Sequence, residues 1–155
     1  MAVTLIPVSG LPLVRAGDDV AELIAAALAK AGERLVSSDV IAVAQKIVSK
    51  AEGCMVDLRT VTPGPRAREI AARIGKDPRL VELILAESSR AVREAPNVLI
   101  VEHRLGFVMA NAGVDQSNVG PEGDEVALLL PRDPDASAGR AWRGGWPARS
   151  PIRPN

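Results

Sequence analysis

The segment Asn111-Ala112-Gly113-Val114-Asp115-Gln116-Ser117-Asn118-Val119-Gly120 sets one carboxylate, Asp115, beside two amides in a stretch rich in Gly, Asn and Ser. Oxygen ligands of this kind suit a hard cation such as Mg2+ or Mn2+, which binds one or two carboxylates and completes its shell with substrate phosphates. The same composition also makes an ordinary Asx-capped turn. A second group is Lys46 and Lys50, two of only four lysines in a chain whose 19 basic side chains are mostly Arg. They follow Asp39-Val40-Ile41-Ala42-Val43-Ala44, a continuous apolar run with the pattern of a strand buried on both faces. Open α/β sheets bind ligands at the carboxyl ends of such strands, and an ammonium there neutralises phosphate as a point charge. The alternative is a solvated helix start.

Other chemistries are excluded by what is missing. The chain has no G-x-x-x-x-G-K-[ST] and no G-x-G-x-x-G, so the common phosphate-cradling loops are absent. One Cys and one His cannot make a zinc cluster, and a nucleophile triad would have to be built on His103, between Glu102 and Arg104 in a hairpin link. A lone His there is more often a surface or hydrogen-bonded residue than a base. The 19 basic and 19 acidic side chains cancel, and aromatics are 2% of the chain. Neither a polyanion field nor a base-stacking platform is available, so no nucleic-acid partner is expected. The lone Cys54 fits a reducing compartment, no apolar run reaches the length of a membrane span, and the first residues lack a signal-peptide pattern. The expected location is the cytoplasm, with no membrane contact.

These residues need elements to position them. Residues 3–7 read as a strand running into the Ser9-Gly10-Leu11-Pro12 turn. Asp19, with Glu22 three residues on, caps a helix over residues 20–31 that Gly32 ends. A strand is predicted over residues 39–44, another over 54–61, and a helix from Pro65 to Gly75. Asp77-Pro78 opens an apolar helix ending near Arg90 or Arg93. Residues 97–102 and 106–110 read as a hairpin, and 126–130 as the last strand. Asp135 is a candidate cap near residue 134, whereas residues 139–147 show no usable period. Helices and strands thus alternate around an aliphatic core, a mixed α/β class with flanking helices.

Six ordered motifs go further. Ile6-Pro7-Val8-Ser9-Gly10-Leu11-Pro12-Leu13-Val14, Gly17-Asp18-Asp19, the run from Asp39 through Gln45-Lys46-Ile47-Val48-Ser49-Lys50 to Gly53, Glu102-His103-Arg104-Leu105-Gly106-Phe107-Val108, Ala112-Gly113-Val114-Asp115-Gln116-Ser117-Asn118-Val119 and Leu130-Pro131-Arg132-Asp133-Pro134-Asp135-Ala136-Ser137-Ala138 closely resemble the coenzyme F420-0:L-glutamate ligase family. The resemblance implies an enzyme of F420 biosynthesis that joins L-glutamate to coenzyme F420-0, extends the chain by γ-linkages, and consumes GTP with Mg2+ or Mn2+, assisted by K+. It also implies an α/β fold and a homodimer in the full-length family. Carried onto this chain, it places Leu11, Pro12, Leu13 and Val14 on GTP largely through backbone, adds Gln45, Lys50 and Asn118 as GTP contacts, and makes Asp115 a divalent-metal ligand. Lys50 and Asp115 are then the catalytic pair. Gln45 stands where many relatives have Ser.

The resemblance has an end. Family members continue with an apolar strand, a Ser/Thr-Asp-Thr segment supplying further metal ligands, and a Gly-Arg-x-Trp-Arg motif. This chain passes from Ala138 into Gly139-Arg140-Ala141-Trp142-Arg143-Gly144 and an Arg/Gly/Pro/Trp tail. The expected division is a ligase-like region over residues 1–138 and an irregular tail over 139–155. Truncation or frame loss after Ala138 is the expected origin, with an internal deletion as the alternative. The alternative function is a non-catalytic nucleotide- or partner-binding fragment of the same family.

Overall fold

The structure is a computed structural model that describes residues 2–36, 39–117 and 125–143, the side chains to residue 139. The chain divides into two compact units, Met1–Cys54 with Pro131–Asn155, and Met55–Leu130. The fold is mixed α/β, as expected, with five helices and two small sheets among the described residues. No helix described is long and apolar enough to cross a membrane.

In the first unit, helix α1 (Val20–Ala31) forms where its capping pattern places it. The Asp19 carboxylate accepts from the backbone N–H groups of Ala21 and Glu22, at 2.8 and 3.1 Å, and Gly32 closes the other end in a left-handed conformation. Its inward stripe is Ile24, Ala27 and Leu28. Helix α2 (Gln45–Ala51) is short and begins at Ala44 without a side-chain cap. Helix α3 (Pro134–Arg143) carries proline in its first turn, and the cap is Asp133, whose Oδ1 accepts from Ala136 N–H at 2.8 Å. Asp135 lies in the first turn instead, because Pro134 already occupies a helical position. The helix also runs on past Ala138 through residues in which no period is legible.

Two predicted strands of this unit are not strands. Residues 3–7 and 39–44 join no ladder among the described residues, and side chains expected inside, such as Val40, are exposed. An apolar β-branched run needs a hydrogen-bonded neighbour to become a strand, and none of the described chain supplies one.

The second unit opens with β1 (Met55–Asp57), paired antiparallel to β2 (Val126–Leu128) in the register Met55↔Leu128. A 3-10 turn over Leu58–Thr60 leads to α4 (Pro65–Ile74) and α5 (Pro78–Ala86). Both helices start with proline in the first turn, and α4 ends at Gly75 as predicted. Then come β3 (Ser88–Ala95), β4 (Val98–His103) and β5 (Val108–Ala110), an antiparallel sheet in the order β3-β4-β5. Leu99 and Val101 of β4 point inward with Ile70 and Ile74 of α4 and Val81 and Ile84 of α5, making the core.

Here α5 stops at Ala86, short of the predicted Arg90 or Arg93. The Ser88 hydroxyl donates to the Ile84 carbonyl, a local bond that competes with helix continuation, and the chain turns into β3. Register shifts between Ser88 and Arg90 and between Ala91 and Arg93 break the alternation that would have announced this strand. Residues 39–44 are exposed and join none of the described ladders, all of which are antiparallel, so Lys46 and Lys50 do not stand at the carboxyl end of a buried strand.

Candidate functional site

The nucleotide-contact residues implied by the resemblance fall mostly in the first unit. Leu11, Pro12, Leu13 and Val14 form a loop without regular structure just before the Arg15–Asp18 turn, in which Arg15 N–H donates to Asp18 Oδ2 at 2.7 Å. Gly17 N–H donates to the Ala51 carbonyl at 2.8 Å, tying this turn to the last residue of α2. A Cβ on Gly53 would touch the Ala16 methyl at 3.4 Å, so the chain leaving α2 packs against the same turn. The structure therefore holds the 11–14 loop close in the chain to a turn anchored on the helix that carries Gln45 and Lys50.

Within α2, spacing decides what can act together. Gln45 and Ser49 are one turn apart, and the Gln45 amide donates to the buried Ser49 hydroxyl. Lys46 and Lys50 are also one turn apart within α2 and share another stripe. Gln45 and Lys50 lie about 7.5 Å apart along the axis and about 140° apart around it. They act on one ligand only if it reaches along the helix, as a triphosphate can. Glu52, just after α2, lies within hydrogen-bond distance of the Ser137 hydroxyl, so the helix end is braced by α3.

Asp115 belongs to the second unit. Its backbone exchanges two hydrogen bonds with Leu128 of β2, at 3.0 and 2.8 Å, and its Oδ1 accepts from both the N–H and the hydroxyl of Ser117 at 2.7 Å. The carboxylate is thus fixed on a paired backbone rather than a free loop. Among the described residues no three His, Cys, Asp or Glu side chains lie together as a metal cage. This donor set fits a hard divalent cation held by one carboxylate and by phosphate oxygens, and it does not fit zinc. Asn118 lies outside the described residues.

Sequence reasoning singled out this segment for its side chains but not for the backbone that delivers Asp115. Asn111, Ala112 and Gly113 form one 3-10 turn, with φ of 52°, 52° and 69°. Left-handed backbone at a non-glycine residue costs about 1–2 kcal/mol, and here two such residues stand in succession. Asn111 Oδ1 is buried without a hydrogen-bond partner among the described residues, and a Cβ on Gly113 would come within 2.9 Å of Leu130. The readable signal was Asn-Ala-Gly after an apolar strand, since Asn and Gly are the residues that enter this region.

His103 is the last residue of β4 and is 1% exposed. Its Nδ1 accepts from Leu105 N–H at 3.0 Å, so the proton of the neutral ring sits on Nε2, 3.5 Å from Glu87 Oε2. Burial pushes its pKa below the usual imidazole value, against the pull of Glu87 and with the push of Arg104. It is the hydrogen-bonded structural residue of the hairpin, and Glu87 is engaged at 3.0 Å by Arg104 as well.

Comparison with known proteins adds the following. A family model described as F420-0:Gamma-glutamyl ligase matches residues 10–142. The chain is 52% identical over 143 residues to the coenzyme F420:L-glutamate ligase of Methanothermobacter thermautotrophicus, covering 92% of this chain and 56% of that protein. Proteins of the same name from Methanopyrus kandleri and Archaeoglobus fulgidus are 49% and 45% identical, over 81% and 89% of this chain and 46% and 52% of their own lengths. The chain spans about half the length of the curated relatives it matches. The match continues four residues beyond Ala138, to Trp142, and takes in most of α3.

Proposed function

The chain belongs to the F420-0:gamma-glutamyl ligase family, and from that membership we propose that it takes part in the GTP-dependent addition of L-glutamate to coenzyme F420-0. The carboxylate of F420-0 would attack the γ-phosphorus of GTP, releasing GDP and leaving an acyl phosphate. The glutamate amine would then attack the acyl carbon, form the amide and release phosphate, and a further γ-linked round would repeat the two steps. In this reading Leu11, Pro12, Leu13 and Val14 position the nucleotide through backbone groups, and Gln45 hydrogen-bonds it. Lys50 places its charge on the transferring phosphoryl group, where preorganised charge lowers the barrier. Asn118 adds a nucleotide contact. Asp115 would hold Mg2+ or Mn2+, which when bound supplies neutralisation of phosphate charge. K+ is a further expected ion, and the homodimer of the full-length family the expected assembly.

The observation that carries this reading is that the family match spans Leu11, Pro12, Leu13, Val14, Gln45, Lys50, Asp115 and Asn118 alike. Titration calorimetry with GTP and Mn2+ tests the binding half. Saturable binding that weakens at least tenfold in Lys50→Ala supports it, and no heat at millimolar GTP sinks it.

A second reading is favoured by the coverage of only 46–56% of each relative. In it the chain binds nucleotide or a partner without catalysing ligation. Binding of GTP without glutamylated product distinguishes it.

A further inference from the structure

The helix that carries Gln45 and Lys50 is anchored at one end only. Each of the last four carbonyls of α2 accepts a hydrogen bond: Val48 from Glu52 N–H at 2.9 Å, Ser49 from Cys54 N–H at 2.9 Å, Lys50 from Gly53 N–H at 3.0 Å and Ala51 from Gly17 N–H at 2.8 Å. Gly53, with φ of 68°, supplies the left-handed residue that this closing geometry requires. The other end starts at Ala44 with no side-chain cap. A helix of seven residues is marginal on its own, so its carboxyl end is what fixes α2 in place. Lys50 stands in that last turn with its side chain half-buried, and a stem packed in this way carries a displacement of the backbone out to the ammonium.

One side chain reaches this end from far along the sequence. Asp133 caps α3 through Ala136 N–H, and its carbonyl accepts from the backbone N–H of Ser137 at 2.9 Å. The cap thereby fixes Ser137 in the first turn of α3, where its hydroxyl is 2.8 Å from the Asp133 carbonyl and donates to Glu52 Oε1. Ser137 is 8% exposed. A hydroxyl donating to a carboxylate makes a charge-assisted bond, stronger than a neutral one, and burial keeps water from competing for it. Glu52 is the residue whose own N–H closes on Val48, and it lies in the same compact unit as Ser137, 85 positions away in sequence. We propose that Ser137 is a positioning residue for Lys50: by holding the Glu52 carboxylate it sets where the last turn of α2, and with it the Lys50 ammonium, stands. It needs no contact with the nucleotide itself. The consequence for GTP rests on the reading of Lys50 as a phosphate contact, whereas the hold on α2 is measured without nucleotide.

The test compares Ser137→Ala with the native chain. The substitution removes the hydroxyl and leaves the Asp133 cap and the backbone bond of residue 137 in place, so α3 still forms. Without nucleotide, the amides of Glu52, Gly53 and Cys54 should exchange with solvent at least fivefold faster in the variant, while those of α4 in the second unit keep their rates. Glu52→Gln retains an oxygen that accepts from the hydroxyl, and its exchange at residues 52–54 should stay within twofold of the native rate. With GTP, calorimetry should show Ser137→Ala weakening binding at least threefold, but less than twofold when Lys50→Ala is already present, because a residue that acts through Lys50 has nothing to act on once the ammonium is gone. Equal losses in both backgrounds would make Ser137 a general support of the fold and overturn the proposal, as would unchanged exchange at residues 52–54 in Ser137→Ala. If the native chain binds no GTP, the phosphate reading of Lys50 fails by itself, and exchange at residues 52–54 alone decides whether Ser137 sets the end of α2.

Discussion

Replacing Gly113 by Ala perturbs the turn that delivers Asp115 in two separable ways. The backbone there has φ of 69°, where an L side chain costs about 1–2 kcal/mol. The new Cβ would also lie 2.9 Å from both Cδ2 and Cγ of Leu130 and 3.1 Å from its Cδ1. Carbon atoms rest at about 3.5–4.0 Å, so Leu130 or the turn must move, an overpacking penalty of about 1–3 kcal/mol. The two effects together predict a loss of roughly 2–5 kcal/mol. Urea denaturation followed by circular dichroism measures it, because the midpoint falls while the slope stays the same. The Leu130→Ala background isolates the contact. With the crowded atoms gone, Gly113→Ala should cost only the strain of about 1–2 kcal/mol, giving a coupling between the two sites. Equal cost in both backgrounds, or a cost below about 0.5 kcal/mol in the native one, would refute the reasoning about this turn.

Other expectations follow from the same geometry. Asp115→Asn keeps the Ser117 bonds available but removes a charge, so Mn2+ binding measured by electron paramagnetic resonance should weaken at least tenfold with little change in melting temperature. Because burial depresses the His103 pKa, the unfolded chain takes up that proton first as pH falls below about 6.5. Stability should therefore drop from that point down to the folded pKa and then level off, and a pH series of urea midpoints should lose this step in His103→Gln. Ile84, fully buried between α5 and the sheet, should cost about 2–5 kcal/mol as Ile84→Ala, read from the same urea curves.

Much of the fold was legible because local chemistry decided it. Asp19 and Gly32 bound α1, and Pro65 and Gly75 bound α4, through caps that act within a few residues. The strand β3 was hidden because two bulges scramble its alternation, and Asp133 was overlooked as a cap because the proline after it was read as part of the lead-in. Residues 3–7 and 39–44 misled for a different reason. Their pattern is strand-like, yet pairing is a property of a neighbour, and no run of one's own residues can report whether the neighbour is present. Lys50 and Asp115 were visible as candidate residue types, whereas the strained delivery of Asp115 by Asn111, Ala112 and Gly113 emerged only from backbone angles.

The proposed participation of this chain in the ligase reaction of its family is open to a direct test. The chain is incubated with GTP, Mn2+, coenzyme F420-0 and L-glutamate, and the product is weighed by mass spectrometry. The expected result is a product heavier by one glutamyl residue, formed with release of GDP and lost in both Lys50→Ala and Asp115→Asn. No mass increase, under conditions where the full-length Methanothermobacter relative gives one, would contradict it.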